Sequence, residues 1–301
     1  MPRLLPSYRR LLEKGTLAER ARLIADRLKS CDLCPRRCLV NRHEDRGMYC
    51  CTGAKPVVSS YGPHFGEESP VVGTHGSGTI FFTNCNLKCI YCQNFDISQG
   101  GIGSETSPER LAEMMLDLRK RGCHNINLVS PSHVAAQFVE SLLLAAEQGL
   151  SIPIVYNTGG YDSVETLRFL DGIVDIYMPD IKYSESSYGA RYSGASNYFE
   201  IAREAVKEMH RQVGDLTLDD SGVAQRGLLV RHLVLPNDLA GTAEIVSFIA
   251  QEISKDTYLN IMDQYRPCHK ASRFPELNRR ITSTEYRAAV LAAKSAGLWR
   301  I

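Results

Sequence analysis

No apolar run in the 301 residues approaches the roughly 18 needed to cross a bilayer, so no membrane span is expected. Charge of one sign is also lacking. Lys and Arg number 35 against 34 Asp and Glu, a formal net charge of +1, and so no nucleic-acid or acidic-membrane partner is implied. The opening Met1-Pro-Arg-Leu-Leu-Pro-Ser-Tyr-Arg-Arg has no apolar core of signal-peptide length. What the chain does have is an ordinary globular balance, 44% hydrophobic and 23% charged, enough for one large domain with a small extension. Its ten cysteines would suit a secreted disulfide protein only if the chain were much shorter. Eight of the ten lie between Cys31 and Cys92, the clustering of metal ligands, and a reducing cytoplasm is the expected setting.

The central stretch is Thr79-Ile-Phe-Phe-Thr-Asn-Cys85-Asn-Leu-Lys-Cys89-Ile-Tyr-Cys92-Gln-Asn94. Ile80, Phe81 and Phe82 read as a short buried strand. Cys85, Cys89 and Cys92 follow at C-x3-C-x2-C spacing in a polar loop. Three thiolates at that spacing can hold three corners of a [4Fe–4S] cluster. The loop lacks a fourth cysteine, which leaves one iron open, and an open position binds a substrate or cofactor. A zinc site or three buried thiols are the other readings, although zinc knuckles usually pair two close cysteines with a distant pair.

A second set precedes it: Cys31, Cys34, Cys38 and Cys50 at C-x2-C-x3-C-x11-C, with Cys51 to spare. Turn residues between the pairs let the chain fold back on a metal, zinc or an iron–sulfur cluster; reduced structural thiols are the alternative. Residues from about Ser7 to Lys29 read as one packing helix. The Gly- and Pro-rich segment 55–78 reads as a loop, with His64, Glu67 and Glu68 either entering the site or solvated.

Beyond the loop, strand and helix patterns alternate. Strands are expected at 125–129, 153–156, 173–178, 228–235 and 258–262. Helices are expected at about 108–121 with Ser107 as N-cap, and at 134–148, 163–170, 197–213, 243–254 and 283–296. Six strands alternating with helices argue for an α/β fold with parallel pairing. Polar residues gather after each strand, the rim that carries the site in α/β barrels. Domains are expected at 1–60, a helix and cysteine-rich extension, and 61–301, the strand–helix body.

The Cys85 loop, with Tyr91 before its last cysteine, resembles the signature of radical S-adenosylmethionine (SAM) enzymes. That resemblance implies a partial (β/α)6 TIM-like barrel with a small N-terminal cysteine-containing extension. It implies a [4Fe–4S] cluster on Cys85, Cys89 and Cys92 whose open iron chelates S-adenosyl-L-methionine. One electron then gives methionine and a 5′-deoxyadenosyl radical, and the electron comes from a donor such as flavodoxin or ferredoxin. The phrases His64-Phe-Gly-Glu-Glu68, Asn127-Leu-Val-Ser-Pro-Ser-His133, Tyr156-Asn-Thr-Gly-Gly-Tyr161, Val230-Arg-His-Leu-Val-Leu-Pro-Asn237 and Asn260-Ile-Met-Asp-Gln-Tyr-Arg-Pro267 resemble the pyruvate formate-lyase-activating-enzyme-like group.

By that resemblance Asn157 and Thr158 face SAM. Asp180 suits its ribose hydroxyls or ammonium, and Lys182 and Arg231 suit its carboxylate. An interior salt bridge is the other role for Arg231. The family's Gly-Gly-Glu after the second strand is missing here. Ser130-Pro131-Ser132-His133 takes its place, with Ser130 and Ser132 as uncharged hydrogen-bonding groups. His133 reads as a general acid–base group or as a structural residue. The resemblance implies hydrogen abstraction from a glycine of a glycyl-radical enzyme, through a mouth framed by 62–78, 184–196 and 214–227. A radical enzyme acting on a small molecule or another peptide would use the same rim, with the N-terminal extension capping the mouth. A metal-binding scaffold without turnover is the alternative of another class.

Overall fold

Six short apolar segments build the sheet that everything else leans on. In a computed structural model describing residues 4–301 they are β2 (Ser77–Phe82), β4 (Ile126–Val129), β5 (Ile154–Thr158), β6 (Ile176–Pro179), β8 (Ala224–Leu233) and β9 (Tyr258–Met262). Each pairs in parallel with the next, in that order. Parallel strands buried on both faces need continuous apolar sequence, and β5 and β6 are buried at every position. The sheet does not close. β1 (Val57–His64) adds antiparallel to the free edge of β2, and the two-residue β3 (Ser104–Glu105) pairs with β1. The two-residue β7 (Thr217–Leu218) pairs antiparallel with the start of β8. The α/β partial barrel expected from the sequence is therefore the fold.

Helices α5 (Pro108–Lys120), α6 (Ala135–Glu147), α7 (Val164–Phe169), α9 (Tyr198–Val213), α10 (Thr242–Phe248) and α11 (Ser283–Ser295) occupy the expected places, with α10 continuing as a π-turn over 249–253. Ser107 caps α5 by accepting from the Arg110 amide. Thr282 and Glu285 cap α11 reciprocally.

Three expectations need correction. The helix read over 7–29 is two helices, α1 (Ser7–Glu13) and α2 (Thr16–Asp26), because Gly15 takes φ 70 between them. A left-handed residue ends a helix, and glycine takes that conformation without steric cost. The segment read as a loop over 55–78 holds β1 and the single turn α3 (Ser69–Val72). The turn-rich segment 184–196 holds a helix, α8 (Ser186–Ser193).

Helices α1 and α2 bind the outside of the body. The Tyr8 hydroxyl donates to Ile152 O (3.0 Å) and the Ser7 amide to Asp175 (2.7 Å). Leu17, Ala21 and Ile24 are buried in the same core as Leu142 of α6. Residues 31–53 then cross to the C-terminal ends of the strands, where Arg42 donates to the His133 carbonyl at 2.7 Å.

Candidate functional site

Strand β2 delivers the cysteine loop to the C-terminal rim. Asn84, at φ 70, turns the chain so that Cys85, Cys89 and Cys92 line one cavity of about 250 Å³. Each sulfur has a nearby polar group. The Leu87 amide donates to Cys85 Sγ (3.4 Å), the Ser193 hydroxyl donates to Cys89 Sγ (2.9 Å), and Ser98 Oγ lies 3.2 Å from Cys92 Sγ. Burial pushes the Cys85 thiol up to about 12 and raises that of Cys89. A metal centre would have to hold these sulfurs as thiolates against that burial.

The opposite wall is polar. Asn157, Thr158, Asp180, Lys182 and Arg231, from the ends of β5, β6 and β8, line the cavity with Ser130. Asp180 joins Lys182 Nζ (2.6 Å) and Arg231 Nε (2.8 Å). Burial alone would raise the Asp180 carboxyl, but Arg231 and Lys182 outweigh it and hold it below its ordinary value. Arg231 Nη2 donates to Asn157 Oδ1 (2.7 Å). Its Nη1 lies 3.3 Å from Glu67 and 3.6 Å from Glu68, both of which approach from beneath the rim. Arg231 is thus a cavity-lining residue and an interior salt-bridge partner at once. A guanidinium placed in this way fixes three carboxylates and an amide by its fork geometry.

Other expected residues stand elsewhere. Ser132 is not on the cavity wall. Its hydroxyl lies 3.0 Å from that of Thr158, which donates to the buried Asp162 at 2.6 Å. His133 is no acid–base group at this site. Its Nε2 donates to Thr83 O (3.0 Å), and burial, with Arg42 beside it, depresses it to about 3. His64 lies off the cavity, edge-on to Phe81 at 5.6 Å. Segments 62–78 and 214–227 do not frame the mouth. They adjoin the N-terminal ends of β2 and β8, because His64 pairs with Ser77 and the 214–227 segment leads into the first residues of β8.

The sequence reading also missed several residues. Gln93, Asn94, Ile97 and Ser98, beside and within the short helix α4 (Phe95–Ser98), complete the mouth with Gln264 and Tyr265. Gln264 and Tyr265 had a usable signal, since they follow β9 as rim residues follow a barrel strand. Tyr198 had none, being one tyrosine in a helix. Its hydroxyl binds the Gly159 and Asp180 carbonyls (2.8 and 3.0 Å), and the Lys182 amide lies 3.0 Å from the same oxygen. Tyr91 packs edge-on against Tyr183 and Tyr265 beneath the loop.

Cys31, Cys34, Cys38 and Cys50 line a separate, much smaller pocket with Arg36, Arg42, Tyr49 and His133, whereas Cys51 is exposed outside it. Among the described residues, no three Cys, His, Asp or Glu side chains stand close enough to ligate a single metal ion. No helix among them is long and apolar enough to cross a membrane.

The profile described as the Radical SAM superfamily matches residues 79–219, which include all three loop cysteines, Asp180 and Lys182. The uncharacterized protein MJ0674 of Methanocaldococcus jannaschii is 34% identical over 277 residues, covering 90% of this chain and 76% of that protein. The uncharacterized protein MJ0808 of the same organism is 23% identical over 274 residues, covering 81% of this chain and 73% of that protein.

Proposed function

The chain belongs to the radical SAM superfamily, and on that premise we propose that it is an activase that takes a hydrogen atom from a glycine of a partner enzyme. Membership implies a SAM-cleaving radical enzyme with a [4Fe–4S] cluster and an external reductant. The residues present fit that group: three free thiols share a cavity with no fourth cysteine on its wall. When bound, the cluster supplies the electron that splits SAM into methionine and a 5′-deoxyadenosyl radical.

Cys85, Cys89 and Cys92 hold the cluster in this reading. Lys182 and Arg231, anchored by Asp180, orient the carboxylate of SAM. Ser130 offers an uncharged acceptor to its ammonium in place of the missing Gly-Gly-Glu. Leu87, Tyr91, Leu233 and Met262 exclude water from the reacting carbon.

One observation carries the choice of substrate: among the described residues, none before Phe82 lines the cavity. That the described part of the N-terminal extension adds no residue to the cavity wall supports a mouth with room for an entering protein loop. Phe95 and Ile102, 42% and 59% exposed, give apolar footing on the segment that borders the mouth. The test mixes reduced protein, SAM and the glycyl-radical enzymes of the source cell, and looks for a glycyl doublet by electron paramagnetic resonance. A doublet supports the activase. Silence from all of them while 5′-deoxyadenosine still forms transfers the reading to a small-molecule or other peptide substrate.

A further inference from the structure

The pocket beside the mouth is built as carefully as the cavity. Cys31, Cys34 and Cys50 are buried and Cys38 is half-buried. The backbone amides of Leu33 and Arg36 lie on the side of the Cys31 and Cys34 sulfurs and favour their thiolate forms. Each amide stands two residues after its sulfur, the sequence offset of Leu87 from Cys85. Amide-to-sulfur bonds stabilise thiolates and tune the potential of a cluster.

The backbone here is strained where it serves the sulfurs. Arg37 and Leu39, on either side of Cys38, take φ 42 and φ 56, and Cys51, next to Cys50, takes φ 53. Left-handed non-glycine residues are costly and persist where their surroundings fix them, often at functional sites. A Cβ on Gly47 would lie 2.5 Å from Cys50 Sγ, so that sulfur is seated directly over a glycine.

Charge points the same way. Arg42 is 2% exposed, and no carboxylate lies within salt-bridge reach of it among the described residues. Its guanidinium donates to the Gly53 and His133 carbonyls and lies 3.8 Å from Cys31 Sγ. Arg36 Nη2 is buried without a hydrogen-bond partner. A buried cation needs an anion. The anion offered to Arg42 would be an oxidised cube carrying four thiolates, whose net charge is about −2.

Zinc with four thiolates has the same charge but not the same size. Its sulfurs would lie about 3.8 Å apart, from a Zn–S bond of about 2.3 Å in tetrahedral geometry. No three of these cysteines are within reach of one ion, and the same holds for the Cys85 loop.

We propose that Cys31, Cys34, Cys38 and Cys50 hold a second [4Fe–4S] cluster, fully ligated by protein, which relays single electrons to the cluster in the Cys85 loop. Full ligation leaves no iron open to SAM. The connection to the first loop is short. Arg36, two residues from Cys34, donates to the carbonyl of Asn86, next to Cys85, at 2.9 Å. The Arg36 guanidinium lies 3.7 Å over the Tyr49 ring and 5.0 Å from that of Tyr161, and Tyr49 lines the pocket of the Cys31 set. Each turn of the relay takes one electron from a low-potential donor protein of the flavodoxin or ferredoxin class. It passes that electron on and returns the second cluster to its oxidised form.

Iron and acid-labile sulfide in the anaerobic full chain should each reach about eight per chain, and the Cys85→Ala, Cys89→Ala, Cys92→Ala triple variant should keep about four with a cluster spectrum unmoved by SAM. About four in the parent, or a triple variant holding only zinc or no metal, overturns the second cluster. The Cys34→Ser, Cys38→Ser double variant should keep the first cluster and its SAM-dependent resonance. Reduction of that cluster by the donor protein should slow at least about tenfold, while a small chemical reductant still reaches it. An unchanged rate with the donor protein overturns the relay. None of these outcomes depends on which partner gives up the hydrogen atom.

Discussion

The two cysteine sets use the same local chemistry and differ in what they leave open. In both, a left-handed residue adjoins a cysteine: Asn84 before Cys85, Arg37 and Leu39 around Cys38. The Cys85 loop, however, looks into a cavity of about 250 Å³ whose far wall is Asp180, Lys182 and Arg231. The Cys31 set closes on itself, with Arg42, Tyr49 and His133 filling the space around it. A third cysteine followed by a cavity invites a ligand, whereas a fourth cysteine followed by packing excludes one. The difference between the two sets therefore lies in the side chains opposite the sulfurs.

The strongest way to break the comparison is to remove a ligand from one set only. Cys85→Ala should take the iron of the first site and every SAM-dependent change in the paramagnetic spectrum, and leave the Cys31 set as it is. Next in size come Asp180→Ala and Lys182→Ala. Each should weaken SAM binding by about ten- to a hundredfold, or ~1.4–3 kcal/mol, with iron content unchanged. Calorimetric or equilibrium-dialysis titration of SAM against the iron-loaded protein reads this directly. If both variants bind SAM like the parent, the far wall of the cavity is misassigned. Asp180→Ala should also lower the unfolding free energy by about 3–5 kcal/mol, since it leaves Arg231 and Lys182 buried with one carboxylate fewer.

Gly47→Ala is a smaller perturbation, aimed at the closed set. Its new methyl group collides with Cys50 Sγ. It should cost about 1–3 kcal/mol of stability, and SAM cleavage by chemically reduced protein should persist. Loss of that cleavage would mean that the two sets are not separable.

The smallest effect lies away from both sets. His232 is buried between Ile181 O (2.8 Å) and Thr242 Oγ1 (2.9 Å), and burial lowers its pKa. A base depressed in the folded state contributes stability that is complete above its ordinary value of about 6.5 and is lost as pH falls below it, at up to about 1.4 kcal/mol per pH unit. Chemical denaturation between neutral and mildly acidic pH should show that slope, to which the buried His133 adds in the same direction, and His232→Gln should reduce it. A slope unchanged in the variant would assign the acid sensitivity to other groups.

The sequence made some features legible because they repeat a period or a spacing. The six barrel strands and the helices between them follow from apolar runs of alternating length. Ser107 before Pro108 marks a helix start by itself. The three loop cysteines announce a shared cavity by spacing alone. Other features depend on distant partners. β1 carries Gly62 and Pro63 and reads as a loop, and it becomes a strand only because the edge of β2 needs covering. The burial of His133 cannot be read locally, because it comes from Arg42 and Thr83, far away in sequence. Glu67 and Glu68 read equally as site residues or solvated loop charges, because what orders them, Arg231 between them and Asp180, is far away in sequence.

The central claim is that the Cys85 loop and the wall opposite it cleave SAM. Its most direct test incubates anaerobic, iron-loaded, reduced protein with SAM, without any substrate, and measures methionine and 5′-deoxyadenosine together. Equal amounts of the two from the parent, and neither from Cys89→Ala, is the predicted result. Iron-loaded parent that yields neither product, or a Cys89→Ala variant that yields both at the parent's rate, would contradict it.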